Sequence, residues 1–352
     1  MKPPGRKVLE VKETKMLSRL KVVSYACAFV LLFSHLTMAA KVTDALTLDN
    51  LQKFSPHARA DLIAGLIQYR SYLEKKNINN PQRFYHFIAE VAAETGGLLR
   101  LDENMNYSEQ GLLKIFPKSV SPDQARRLAH RPVAIANHVY GKKLGNLGRS
   151  TNDGWDYRGS GYIQLTGRAN FRDRGKDAGL KLEGLPAPGT EDGNPELARS
   201  PNEGLLVATE YWNSHDINSV ADHGSVRDVR LKINPALVGL DNAKIWYIRA
   251  KKAFGPDLEG PAQVAAATQL NDEERLAAMS ALEALDLTDE QDVLAVQTAA
   301  EPGAQPKQEA DAAAAYAGAL REFQRDRGLP ETGTLDDDTL YELTDPKNVP
   351  RE

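Results

Sequence analysis

The apolar run Phe84-Tyr85-His86-Phe87-Ile88-Ala89-Glu90-Val91-Ala92 leads straight into Ala93-Glu94-Thr95-Gly96-Gly97. A helix this apolar on all sides has to be enclosed by other elements. The paired glycines end it, and Pro81 fits an early helical position, where its missing N–H costs nothing. The enclosing elements read as helices too. Leu62-Ile63-Ala64-Gly65-Leu66-Ile67 has helical spacing behind Asp49 or Ser55 as candidate caps, and two helical stretches lie between Tyr107 and Tyr140. Glu203–Trp212 and Ala243–Phe254 read as late core helices. Tyr162–Thr166 is a short strand-like run, and long alternating strands are absent. The expected fold class is mainly α.

Composition narrows the function. With 41% hydrophobic and 26% charged residues in a chain of 352, disordered, collagen-like and polytopic membrane classes are excluded. A net charge of -4 gives no basic footprint, so neither nucleic acid nor an anionic membrane is expected as the main partner. Cys27 is the sole cysteine, which rules out an internal disulfide, a Cys-rich zinc site and a Cys-x-x-Cys redox motif. The histidines form no His-Glu-x-x-His spacing, and Gly159-Ser160-Gly161 fits neither a phosphate loop nor a serine-hydrolase elbow. No metal and no cofactor are expected.

Residues 1–40 read as a signal peptide or an N-terminal anchor. Arg19 and Lys21 precede the apolar segment Val22–Phe33, which is shorter than the ~20 residues of a bilayer span and ends in Thr37-Met38-Ala39-Ala40. Met16 as the start would give a lead of ordinary length. Export to the periplasm or cell exterior is expected, with membrane association only if the segment stays uncleaved. Beyond it, 41–255 reads as the main domain, 256–309 as an Ala/Glu-rich linker with Glu301-Pro302-Gly303 at its clearest point, and 310–352 as a small helical module. A monomer is expected.

Glu94 ends an otherwise apolar helix, where partial desolvation favours a raised pKa, as a general acid requires. Glu103 follows in Asp102-Glu103-Asn104. On one continuous helix, about 100° per residue would set the two carboxylates on opposite faces. The intervening Gly96-Gly97 lets the backbone turn, so that both can face one cleft, as glycoside hydrolysis needs.

Four segments in order extend that pattern: Ala93-Glu94-Thr95-Gly96-Gly97, Glu103-Asn104-Met105-Asn106-Tyr107-Ser108, Ile135-Ala136-Asn137-His138-Val139-Tyr140, and Asp153–Phe171 with Gly161-Tyr162-Ile163-Gln164-Leu165-Thr166-Gly167 at its centre. Over residues 45 to 255 the chain resembles the family 19 glycoside hydrolases, chitinases and related endolysins. The resemblance implies a lysozyme-like, two-lobed helical domain that cuts β-1,4 bonds next to N-acetylglucosamine by inversion, in chitin or peptidoglycan. It implies Glu94 as general acid, Glu103 as general base and Thr166 as a holder of the attacking water. Gln164, Asn170 and Asn234 match substrate-binding amides, and Tyr107, Trp155 and Tyr162 are cleft candidates whose alternative is core packing.

Some positions depart from that pattern. Ala93 stands where the family usually has histidine, Ser160 where it has arginine, and Pro235-Ala236 where it has Gly-Gly after the asparagine; Ala243 replaces an arginine expected before Tyr247. The loss of that cation predicts a Glu94 without a charged neighbour. A non-catalytic glycan-binding protein on a degenerate hydrolase fold is the alternative. In the tail, Leu320-Arg321-Glu322-Phe323-Gln324, Gly328-Leu329 and Gly333-Thr334 resemble the second half of a peptidoglycan-binding module. Val293–Ala300 could supply its missing helix, and Leu320, Phe323 and Leu329 its core.

Overall fold

The computed structural model describes residues 41–184, 193–260, 272–285, 287–288, 290–300 and 304–344, and the expected signal or anchor at 1–40 lies outside them. The first helices are α1 (Val42–Ala45), α2 (Leu48–Phe54), α3 (Ala60–Gln68), α4 (Ser71–Lys75) and α5 (Pro81–Thr95). Next come α6 (Glu109–Ile115), α7 (Pro122–Leu128), α8 (Pro132–Tyr140), α9 (Asp153–Asp156) and α10 (Arg168–Asp177). After a 3-10 turn at Pro195–Arg199 follow α11 (Pro201–Ser214), α12 (Ile217–Ala221), α13 (Val226–Ile233) and α14 (Leu240–Leu258). The C-terminal region adds α15 (Asp272–Glu283), α16 (Glu290–Ala299), α17 (Pro306–Asp326) and α18 (Asp337–Thr344). The mainly α class holds. The strand expected at Tyr162–Thr166 does not form: only isolated bridges from Ser160 to Asp102 and Leu165 occur there.

Local chemistry sets the limits of α5. The Asn80 side chain accepts from the Arg83 amide at 2.9 Å, and Pro81 occupies the first turn. Gly96 ends the helix in the left-handed region, at φ 62, and Gly97 N–H returns to Ala92 O at 2.8 Å. A Cβ on Gly97 would sit 2.9 Å from the Trp246 ring, so this turn needs glycine for space as well as for φ. Ser55 is not a helix start; it follows α2, which Thr47 caps, and its hydroxyl donates to Gly97 O at 2.7 Å.

Phe84, Phe87, Ile88 and Val91 on α5 are fully enclosed by α2–α4 and α11–α14. Each such side chain contributes about 1.5–3 kcal/mol relative to exposure. Met105, Leu112, Ile135 and Val139 form a second apolar cluster under α6–α8, and Tyr157, Leu165 and Phe171 a third. Separate cores on either side of the Gly96-Gly97 turn make the domain two-lobed.

The tail departs from the expected organisation. The stretch expected as a linker carries the end of α14 together with α15 and α16, and the boundary expected at 310 falls inside α17. Glu301-Pro302-Gly303 lies outside the described residues. Met279, Val296, Leu320, Phe323 and Leu340 share one apolar cluster with Ile245 and Ile248 of α14, so the C-terminal helices are packed onto the body. Residues 41–352 accordingly form one compact unit. Val293 and Val296 of α16 join that cluster, whereas Leu329 is only half-buried. Fully buried Gln324 explains the Phe-Gln, Gly and Thr spacing: its amide donates to Thr332 and Thr339 Oγ1, both at 2.8 Å, and accepts from the Gly333 amide at 2.9 Å.

Candidate active site

Glu94 occupies the last turn of α5, and Glu90 lies one turn earlier on the same face. Two carboxylates so placed in an apolar helix demand a cation, and α13 delivers one. Arg230 Nη1 donates to Glu90 Oε2 at 2.7 Å and to Glu94 Oε1 at 2.5 Å. Its Nε and Nη2 both donate to Val238 O, which fixes the guanidinium. Glu90 is 2% exposed and its Oε1 has no partner. Burial pushes the Glu90 carboxyl up to about 7 against the pull of Arg230, with the nearby Glu94 charge adding to the rise.

This corrects the expectation of a Glu94 without a charged neighbour. Ala243 is fully buried in the main core, a place that suits a methyl group, and Arg230 supplies the charge from another helix.

Glu103 lies beyond the glycine turn and is held through both oxygens. Tyr140 donates to Oε1 at 2.7 Å, and the Gly159 amide donates to Oε2 at 3.1 Å. The Glu103 amide donates back to Gly159 O at 2.8 Å. Burial raises its pKa, and Tyr140, the Gly159 amide and Arg158 draw it back down. Space at Gly159 is tight: a Cβ would lie 2.8 Å from Gln164 Oε1, displacing that amide, and 3.1 Å from Glu103 Cβ. Ser160 is buried and donates to Arg158 O at 2.6 Å, while the Arg158 guanidinium stacks 3.9 Å from the Trp155 ring centre.

Both carboxylates line one open cavity of about 660 Å³, together with Tyr107, Gln164, Arg230 and Trp246. Gln164 stands at φ 49, a strained conformation for a side-chain-bearing residue, and Thr166 Oγ1 donates to its carbonyl at 2.9 Å. The other expected site residues fall elsewhere. Thr166, Asn170, Asn234 and Trp155 are not among the lining residues. Asn170 is exposed and donates to Thr166 O at 2.7 Å; Asn234 caps α13 and accepts from the Ala236 amide at 3.1 Å. Tyr162 is 0% exposed in the main core, so it packs the larger lobe and does not face the cleft. Among the described residues no group of His, Cys, Asp or Glu could hold a metal ion.

Several site residues escaped the sequence reading. Glu90 and Arg230 become visible as a buried ion cluster only when α13 is placed against α5. Tyr140 belongs to a segment that carries the family likeness, yet nothing local marks it as the partner of Glu103. Arg100 and Lys114 are ordinary surface cations until the fold sets them on the cavity wall.

Over 191 residues the chain is 35% identical to a glycosyl hydrolase family 19 domain-containing protein of Haemophilus influenzae, a match covering 54% of this chain and 87% of that relative. No family model matches. Among solved structures, chitinase C from Streptomyces griseus HUT6037 matches with a TM-score of 0.41 at 17% identity, over 60% of this chain and 77% of that one. A chitinase C mutant matches at 18% identity with a TM-score of 0.37, over 60% of this chain and 77% of that one.

Proposed function

Because this chain belongs to glycoside hydrolase family 19, we propose that its cleft cleaves β-1,4 bonds next to N-acetylglucosamine in a cell-wall polymer, with Glu94 as general acid and Glu103 as general base. The observation that carries the reading is that the two carboxylates line one cavity from opposite sides of the glycine turn and are held differently. Arg230 occupies Glu94 Oε1 and leaves Oε2 to carry a proton. Tyr140 and Gly159 take one bond on each Glu103 oxygen and leave lone pairs for water.

The reaction balances as a single displacement. Glu94 gives its proton to the glycosidic oxygen, which leaves with the electron pair of the broken C–O bond. Water attacks the anomeric carbon from the opposite face and passes a proton to Glu103, so the configuration inverts. The products leave Glu94 ionised and Glu103 protonated, and exchange with solvent restores both. Gln164 binds a sugar amide or hydroxyl from the cavity wall, and Thr166 acts by fixing the Gln164 turn. Tyr107 lines the cleft as a sugar platform. The apolar N-terminal segment supports export, which would bring the enzyme to its polymer.

The test compares the full chain with Glu94→Gln in clearing purified peptidoglycan and releasing oligosaccharides from soluble chitin. A loss of about 10²–10⁴-fold in turnover with binding retained is expected. Turnover equal to wild type would overturn the acid assignment, and a β-configured initial product would overturn inversion.

Arg100 and Lys114, exposed cations on the cavity wall, favour a carboxylate-bearing polymer such as peptidoglycan over neutral chitin. Salt should then weaken hydrolysis of peptidoglycan more than that of chitin oligomers. Equal salt dependence for the two would remove this preference.

A further inference from the structure

The tail does more than dangle from the hydrolase: its last described helix reaches the cleft. Thr344, at the C-terminal end of α18, is one of the cavity-lining residues alongside Trp246 and Gly96. Three observations tie it there. Arg249, buried on α14, donates to Thr344 Oγ1 at 2.9 Å, to Phe54 O at 2.7 Å and to Lys53 O at 3.3 Å. Its guanidinium lies 5.1 Å from the Trp246 ring centre and 5.6 Å from that of Tyr341, and the Tyr341 ring also meets His57 at 5.1 Å. Trp246 in turn presses on Gly97, in the turn between Glu94 and Glu103. Leu340 and Leu343, on the same helix, are buried in a cluster with Ile245 and Ile248 of α14, so α18 is seated by apolar packing as well as by Arg249.

We infer that the C-terminal end of α18 is a wall of the glycan cleft, and that Thr344, backed by Tyr341 in the small pocket behind Trp246, determines how many sugar units the cleft accepts on that side of the scissile bond. The inference rests on the cavity being the glycan cleft. Gly96, Trp246 and Thr344 line the same cavity as Glu94 and Glu103, so a polymer lying across the two carboxylates and running towards Trp246 would meet Thr344. A wall built from a helix held by a buried arginine and two leucines is stiff. It therefore selects by length, where a tether would only raise local concentration. On this view the C-terminal helices serve the hydrolase as a specificity element, whatever else they bind.

The test uses the full chain and soluble N-acetylglucosamine oligomers from tetramer to hexamer, following product lengths together with KM and kcat for each. The double variant Tyr341→Ala/Thr344→Ala should shift the hexamer cleavage position and change its KM by about two- to tenfold, the range of one lost or gained polar contact. The tetramer, which need not reach the wall, should show a smaller KM change. Tyr341→Phe keeps the ring against Arg249 and His57 and should restore the wild-type pattern. Leu66→Ala is the control, since it loosens the main core on α3 without touching α18 or the cavity lining. A wild-type product pattern in the double variant, or an equal shift from Leu66→Ala, would overturn the inference. If no oligomer is cut by wild type, the reading of the cleft as an active hydrolase fails separately. Calorimetric binding of hexamer against tetramer then decides the wall: an unchanged length preference in the double variant overturns it, and a changed one supports it.

Discussion

Replacing Glu90 by glutamine should flatten the pH dependence of stability. Glu90 is enclosed at 2% exposure, so its interactions are not screened by solvent, and its carboxyl is held at about 7 where the ordinary value is 4.5. For an acid whose folded pKa is raised, the favourable contribution is complete below 4.5 and is lost as pH rises through 7. Moving a carboxyl between those values corresponds to about 3 kcal/mol. Glutamine keeps the shape and retains a carbonyl oxygen to accept from Arg230, but it cannot ionise. Wild type should therefore lose about 3 kcal/mol relative to Glu90→Gln between pH 4.5 and 8, most of it between 5 and 7. Urea denaturation at fixed temperature and constant ionic strength, repeated at half-unit pH steps, reads this difference directly. Parallel stability curves for the two proteins across pH 5 to 7 would show that Glu90 does not titrate there, and the reasoning from burial would be refuted.

Tyr140→Phe removes the donor to Glu103 Oε1, one of the contacts that hold the Glu103 carboxyl down against burial. The acidic limb of the kcat/KM profile should move to higher pH, with a rate loss of about tenfold at neutral pH; an unmoved limb would separate the tyrosine from the base. Gly159→Ala places a methyl against Gln164 Oε1 and Glu103 Cβ, and should cost about 1–3 kcal/mol in thermal unfolding while reducing turnover. Phe254→Ala, in the main core and outside the cleft lining, should cost about 3–5 kcal/mol by calorimetry without shifting the pH profile of activity.

The parts of this fold legible in the sequence were those governed by local chemistry. Asn80-Pro81 and Gly96-Gly97 bracket α5 because a cap, a ring and two unsubstituted Cα positions act within a few residues of themselves. Glu94 and Glu103 could be paired for the same reason, since only one turn separates them. Arg230 could not, because its partner carboxylates lie 140 and 136 residues away and only tertiary packing brings α13 to α5. Tyr162 illustrates the opposite failure: it sits among residues that line or support the cleft, yet its own ring points into the core, and alternation within a loop has no fixed period to reveal that. In the tail, the helix expected at Val293–Ala300 corresponds to α16, whereas α15 was hidden by composition: alanine and glutamate are common both in linkers and in helices, and what settles both helices is the apolar surface of α14 that they cover.

The hydrogen bond from Arg249 to Thr344 spans 95 residues, and that separation sets an order of events during synthesis. A ribosome exposes α5, both carboxylates and the glycine turn long before α18 leaves the exit tunnel. Until then the indole of Trp246 and the guanidinium behind it have no cover from Tyr341. The nascent chain therefore carries its reacting groups in an unfinished frame. It gains the last side of that frame only when translation has passed the residues that complete it, which ties the finishing of the cleft to the late, long-range closure of the fold.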